Sequence, residues 1–473
     1  MDSKEVLEIF KRITAIPRES GHEEPVTKWL RDWAAAHNLE CKVDGTGNLL
    51  IVREAAPGKE NVPVTVLQAH QDMVCEKVKG SSHNFLTDPI KYEIRDGWMV
   101  ADETTLGADD GIGIAACLAL LEDTKPTGKI ECLFTVAEET GMDGAFAIEP
   151  GFFEGKTLIN LDSEDEGQLF IGCAGGIHTD VSFRIGMEKP SGAISAVRLN
   201  VGGAAGGHSG DDINKGRMNT VRELARFLYG ELKNGLRLVS INGGGKSNAI
   251  ARESEAVVVT SDPDGLAARF KEFADVLKDE FHATEKNLKF TAVKEELKGM
   301  QFDSDSTAKV VTSLFTCPHG VYEMSQDIPD LVETSTNLAS VTTDGDKVEI
   351  RTSQRSSIGS RCKLIADKVE SNFSVFGAQV SHNNGYPGWA PNVNSPILKL
   401  CVESYRRLFG TEPEVKAIHA GLECGLFLKK FPGLDMISFG PTLRGVHAPG
   451  EKLELASLDR FVALLEDVVC SVK

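Results

Sequence analysis

No stretch of about 18 consecutive apolar residues occurs in this 473-residue chain, so no membrane-spanning helix is expected. The opening segment MDSKEVLEIFKRITAI lacks the basic stretch and apolar core of a leader peptide. It reads as an amphipathic helix with Val6, Ile9, Phe10 and Ile13 on one side. Basic residues are in deficit, 51 Lys+Arg against 70 Asp+Glu for a net charge of −19. That balance argues against nucleic acid as a main partner, because phosphates are held by basic patches. CxxC spacing is absent from the ten cysteines, and Cys117, Cys132, Cys401 and Cys470 sit in apolar runs. A disulfide framework is therefore not expected; buried free thiols in a reducing, cytoplasmic setting are.

What is present is an ordinary globular composition, 41% hydrophobic and 26% charged, on a chain too long for one typical core. The first part alternates helices and strands: a helix over 23–36, a strand over 64–69, a helix over 111–122 that is apolar nearly all round, and strands over 129–137 and 157–162. Such alternation indicates an α/β layer. After about Gly186 the pattern changes. Strand-like stretches at 193–201, 256–261 and 347–353 surround two amphipathic helices, one carrying Val221, Leu224, Leu228 and Leu232, the other Leu266, Phe270, Phe273 and Leu277. The Pro/Gly-rich stretch GYPGWAPNVNSP closes this region, and the tail returns to helix, strand and helix. The economical architecture is a discontinuous α/β catalytic domain, residues 1–186 and 397–473, with a mixed central sheet flanked by helices. An α+β domain, residues 187–396, is inserted into it. Two strand–helix groups in the insertion hint faintly at internal duplication.

Chemistry-bearing residues recur where the strands of the first part end. The strand over 64–69 runs into His70-Gln71-Asp72, with His70 and Asp72 on one face. His70 can be a metal ligand oriented by Asp72, or a satisfied loop histidine beside a turn aspartate. In TTLGADDGIG the adjacent Asp109 and Asp110 repel unless a cation or solvent separates them. A helix N-cap accounts for one of them and not for the other. The strand KIECLFTVA leads to Glu138-Glu139, which can divide into ligand and general base, or be a solvated pair. The strand over 157–162 ends in Asp162, where an acidic turn is the plain alternative. Far downstream, SFGPTLRGVHAPGE offers His447. Each element alone is ambiguous; together they place acids and imidazoles at the carboxyl edge of one sheet, where open α/β sheets carry their sites. A donor set of carboxylate oxygen and imidazole nitrogen suits Zn²⁺, Mn²⁺ or Co²⁺ and not thiolate chemistry.

The ordered motifs AHQDM, TTLGADDGIGIA, AEETGMDGA, LINLDSEDEG, GCAGG, GGHSGDDI, YPGWAPN, IHAGLECG and SFGPTLRGVHAPGE run through nearly the whole chain. Through them the sequence resembles the aminoacyl-histidine dipeptidases, a branch of the zinc peptidases that includes carnosinases and aminoacylases. The resemblance implies metal-dependent hydrolysis of Xaa-His dipeptides such as carnosine. It implies two divalent ions, Zn²⁺ before Mn²⁺ or Co²⁺: one held by His70, Asp109 and Asp162, the other by Asp109, Glu139 and His447, with Asp109 shared. It makes Glu138 the general base, Asp72 the support of His70, and the Asp109–Asp110 peptide cis. The inserted domain becomes a lid whose His208 stabilises the oxyanion. Arg355 becomes the clamp on the substrate carboxylate, with Arg361 as the other candidate, and His419 and Glu423 become residues lining the site. Gln71 departs from the family's usual apolar residue but points away from His70. Small peptides are the implied partners, and a homodimer through the lid is the implied assembly unless the long insertion completes the site within one chain. An aminoacylase with the same centre, a non-catalytic binding protein on the same scaffold, and a thiol enzyme using Cys75 or Cys424 are the competing readings.

Overall fold

The computed structural model describes residues 1–192, 194–297 and 299–473. They form two compact units: Met1–Cys173 with Trp389–Ala417 and Leu422–Lys473, and Ala174–Gly388 with Ile418–Gly421.

The first unit is built on an eight-stranded mixed sheet. Its centre is four strands running the same way: Ile130–Thr135, Thr65–His70, Thr157–Asn160 and Asp435–Ser438. Antiparallel strands, among them Leu49–Arg53 and Gln168–Cys173, extend it on either side. Every residue of Thr65–His70 and Ile130–Thr135 is buried, as parallel strands covered on both faces must be. The helix Ala108–Glu122 is buried along almost its whole length. It packs between the strand Thr65–His70 and the helix Ser3–Ile13, which buries Val6, Ile9, Phe10 and Ile13. Asp2 begins that first helix with a capping box, its carboxylate accepting from the amides of Lys4 and Glu5. Because the four central strands share a direction, their carboxyl ends lie along one edge. All ten cysteines are unpaired, and no described helix is long and apolar enough to cross a membrane.

The second unit carries a nine-stranded sheet whose pairings are all antiparallel. Its strand order resolves into two copies of one βαββαβ pattern. One copy is Ser195–Gly202, helix Thr220–Glu231, Arg237–Gly244, Ser254–Thr260, helix Pro263–Glu280 and Lys289–Glu295. The other is Gly175–Arg184, helix Ser304–Thr316, Val332–Asp344, Lys347–Ser356, helix Gly359–Ser374 and Gln379–Tyr386, with the ninth strand, Gly320–Met324, added before Val332–Asp344 and paired to it. The first copy is inserted after the opening strand of the second. The two copies pair at equivalent strands through Gly243–Val341 and Gly244–Ser340. The faint duplication in the sequence thus corresponds to a nested repeat. The strand expected over 193–201 is Ser195–Gly202, with Ala193 outside the described residues.

The unit boundaries differ from those expected at 186/187 and 396/397. The strand Gly175–Arg184 pairs with Lys347–Ser356 and Gln379–Tyr386, so it belongs with the second sheet. The chain leaves the first sheet at Cys173 and enters the second at Gly175 with only Ala174 between them.

Candidate metal centre

Three acid-bearing or histidine-bearing segments follow the carboxyl ends of parallel strands, and a loop and a turn complete the group. His70 is the last residue of its strand and is 1% exposed. Its Nε2 lies 2.9 Å from Asp109 Oδ1 and 3.4 Å from Asp162 Oδ1. On the far side of the ring, Nδ1 is 3.2 Å from the Asp72 carbonyl and 3.4 Å from its carboxylate. His447 Nε2 lies 3.2 Å from the other oxygen of Asp109 and 3.0 Å from Glu139 Oε1. Asp109 therefore turns one oxygen to each imidazole, with Asp162 beside the first and Glu139 beside the second. His70, Asp109 and Glu139 also offer ligand atoms within 4.8 Å of one another.

Every group in this cluster is an acceptor once the imidazoles are neutral, and acceptors this close repel unless positive charge lies among them. A proton on an imidazole is one such charge and a divalent cation another. Burial works against a charged His70, yet Asp162 and Asp109 overcome it and raise its pKa well above the ordinary value. Hydrogen bonds to Asp109 and Glu139 push His447 up to about 11. Asp109 itself is resisted by burial but driven well below the carboxylate range by the two histidines. The residues present fit two divalent cations, one on each side of Asp109.

Local structure explains why these side chains converge. Of the adjacent aspartates, Asp110 turns inward and accepts the Gly113 amide at 3.1 Å, capping the helix, which leaves Asp109 to the imidazoles. The peptide between them is cis. The glycines of GADDGIG each leave necessary space. A Cβ on Gly107 (φ 69°) would lie 2.5 Å from Arg18 Nη2, one on Gly111 2.6 Å from the same atom, and one on Gly113 would strike the Asp110 carboxylate. Asp72 does more than orient His70. Its carboxylate accepts the amides of Glu138 (3.0 Å) and Glu139 (3.2 Å) and the Ser20 hydroxyl (2.7 Å). Burial would raise this acid, but His70 and these donors hold it down at about 2. Ala137 and His447 adopt left-handed backbone with φ 52° and 62°. Such conformations persist in non-glycine residues only where the surroundings over-determine them.

Glu138 opens the short helix Glu138–Gly141 beside these groups. Burial raises its carboxyl well above the ordinary value, against the pull of His70 and with Glu423, Glu139 and Asp109 adding to it. Glu423, expected to line the site, is fully buried. Its Oε2 accepts from Gln68 (2.6 Å) and Thr135 (2.8 Å), and burial pushes it up to about 7. Its other oxygen, Oε1, is buried without a hydrogen-bond partner. Gln71 is also buried and donates to the carbonyls of Gly47 and Phe134, each at 3.0 Å, away from His70.

The other expected residues belong to the second unit. His208 Nδ1 is 3.2 Å from Asp211 Oδ2. His419 Nε2 is 2.7 Å from the Ser335 hydroxyl, and burial followed by the Arg355 charge lowers the ring to about 3. Arg355 is 7% exposed and donates from Nη1 to the Tyr386 hydroxyl at 3.2 Å. Its charge also bears on Asp211, so His208, Asp211, Arg355 and His419 form one electrostatic group. Buried atoms in this region without a hydrogen-bond partner include Arg355 Nε, His419 Nδ1, Asn337 Oδ1 and Ser209 Oγ. Arg361 lies in the first turn of the helix Gly359–Ser374.

A model of peptidase family M20/M25/M40 matches residues 66–471. The chain belongs to that family. It is 38% identical over 466 residues to the cytosol non-specific dipeptidase of Escherichia coli (strain K12), covering 98% of this chain and 96% of that protein. The crystal structure of aminoacylhistidine dipeptidase from Vibrio alginolyticus matches with a TM-score of 0.91 at 37% identity, covering 99% of this chain and 96% of that one. The aminopeptidase PepT of Bacillus cereus ATCC 10987 shares the fold, with a TM-score of 0.64 at 17% identity over 100% of this chain and 99% of that one.

Within an M20 peptidase the thiol alternative has no footing. Burial and Glu19 push Cys75 up to about 12, and burial raises Cys424 well above an ordinary thiol, so neither supplies a thiolate. Sequence reasoning missed Arg18 and Glu451, both buried polar residues at the M20 centre. Glu451 carried a signal, standing four residues after His447 in VHAPGE; Arg18 carried none.

Proposed function

We propose that this M20 peptidase is a metal-dependent dipeptidase whose substrates include Xaa-His dipeptides. The observation that carries the reading is the division of Asp109, one oxygen to the His70–Asp162 side and one to the His447–Glu139 side. His70, Asp109 and Asp162 would hold one cation and Asp109, Glu139 and His447 the other, with Zn²⁺ suited to the donors and Mn²⁺ or Co²⁺ as substitutes. When bound, such a pair supplies a water of lowered pKa and polarises the scissile carbonyl.

The remaining steps belong to the protein. Glu138 accepts a proton from the attacking water as its oxygen bonds to the carbonyl carbon. It returns that proton to the amine as the C–N bond breaks, leaving a carboxylate and a free amino acid. His208 is assigned the developing oxyanion and Arg355 the free carboxylate of the substrate, with His419 beside them. A buried guanidinium with an unpartnered Nε is the chemistry that a carboxylate needs. Arg355→Ala is expected to raise KM for dipeptides by roughly 10- to 100-fold, the scale of a charge-assisted pair of about 1.5–3 kcal/mol. Unchanged KM with lowered kcat would remove Arg355 from substrate binding.

The test of the whole reading is metal analysis joined to a dipeptide panel that includes carnosine. About two divalent ions per chain are expected, with turnover lost on chelation and restored by Zn²⁺, Mn²⁺ or Co²⁺. Turnover indifferent to chelation would sink the metal-dependent mechanism. Release of acetate or succinate from acylated amino acids, without dipeptide cleavage, would make the enzyme a deacylase. The Escherichia coli relative's name places that protein in the cytosol, and the same setting is proposed for this chain.

A further inference from the structure

Glu451 takes no part in the chemistry just described, yet it is 1% exposed and sits against the loop that carries Asp109. Its Oε2 accepts the amides of Leu106 (2.8 Å) and Gly107 (3.0 Å), and its Oε1 those of Ala108 (2.8 Å) and Asp109 (3.5 Å). Four consecutive N–H groups thus converge on one carboxylate. Only a group with two acceptor oxygens can serve both pairs. The same Gly107 peptide is held from its other side by Arg18, whose Nη2 donates to the Gly107 carbonyl. Arg18 Nη1 donates to the carbonyls of Gln71 (3.0 Å) and Asp72 (2.6 Å), the two residues that follow His70. Glu451 also stands four residues after His447. Its backbone carbonyl accepts the Ala101 amide at 3.0 Å, and the neighbouring Gly450 amide donates to Thr104 at 2.9 Å.

We propose that Glu451 is the positioning residue of the metal centre: it ties the His447 turn to the loop bearing Asp109 and so sets both oxygens of the shared ligand. Arg18 completes the clamp by joining that loop to the end of the His70 strand. The proposal rests on the two-cation reading above. Its consequence is specific. Loosening Glu451 displaces the one ligand common to both sites, so both cations weaken together and not one alone.

The protein contains a built-in control. Glu131, also 1% exposed, accepts the amides of Glu154 and Gly155, each at 2.9 Å, and lies near the opposite end of its strand from Glu138. It is a buried carboxylate that takes both amides on one oxygen, Oε2, with Oε1 unpartnered, and it has no link to the ligands. Glu451→Gln and Glu131→Gln each leave one amide oxygen and present an NH₂ group where the other oxygen was. Glu451→Gln, whose NH₂ must face amide donors on one side, is expected to lower the melting temperature more than Glu131→Gln, which can keep both amides on its one oxygen. Only Glu451→Gln is expected to weaken cation binding, by roughly 10- to 100-fold at each site, and to change the visible absorption of the Co²⁺-loaded protein. Co²⁺ titration against a competing chelator reads both. If Glu451→Gln does not fold, Glu451→Asp, which keeps the charge and retracts the carboxylate, is measured in the same way. Wild-type Co²⁺ affinity and spectrum in the folded Glu451 variant would overturn the proposal, as would an equal weakening in Glu131→Gln. A wild-type chain that takes up no Co²⁺ would instead overturn the metal reading itself.

Discussion

Glu138→Ala is expected to lower kcat for dipeptides by roughly 10²- to 10⁴-fold, the range that a positioned general base contributes, while the protein still carries about two divalent ions per chain. The separation of the two readouts follows from the geometry. The imidazole of His70 is met by Asp109 and Asp162, and that of His447 by Asp109 and Glu139, so Glu138 stands outside both sets. What ties Glu138 to the centre is its backbone amide, which donates to Asp72 and survives truncation of the side chain. Its carboxyl is raised by burial and by the neighbouring acids Glu423, Glu139 and Asp109, against His70. A loss of one cation in Glu138→Ala would make Glu138 a ligand and leave the reaction without its proton carrier. The readout is turnover at saturating dipeptide alongside elemental metal analysis of the same sample.

How much of this was legible in the sequence depends on whether a residue's partner is near in the chain or in a repeating pattern. The strand ends carrying His70, Glu138–Glu139 and Asp162 announced themselves because apolar runs stop there in favour of acids. The tie between Asp110 and its helix was local enough to expect, and it resolves the ambiguity of the paired aspartates in favour of Asp109 as the outward one. Arg18 was invisible, and Glu451 showed only its place four residues after His447, because their partners are carbonyls and amides 53 to 345 residues away, and backbone groups have no sequence signature. The motif IHAGLECG divides between the two units. His419 falls in the second unit and Glu423 in the interior of the first, so nearness in the chain was no guide to shared surroundings. The duplication in the second unit stayed faint because one copy interrupts the other after a single strand, which breaks any fixed repeat period.

Asp109→Asn is expected to have the widest effect of any single substitution, because it touches both halves of the centre while changing only one atom. The amide keeps one acceptor oxygen and turns an NH₂ donor toward whatever the second oxygen faced. One cation then loses a ligand outright, and the other keeps only a neutral oxygen. Turnover is expected to fall more than roughly a thousandfold, the scale set by losing a water whose pKa is lowered from 15.7 toward neutrality. Metal content is expected to drop to one ion per chain or fewer. The neighbouring Asp110→Asn is expected to behave oppositely. Asp110 is buried, accepts the Gly113 amide through Oδ1, and leaves Oδ2 without a partner. Burial and Asp109 raise it well above the ordinary carboxylate range, so a neutral amide resembles the form it already favours. Asp110→Asn therefore keeps both cations and most of the turnover. Elemental analysis and dipeptide kinetics on the two variants decide the matter. A reversal, with Asp110→Asn losing the metals and Asp109→Asn keeping them, would move the shared ligand to the other aspartate and undo the division of the centre around Asp109.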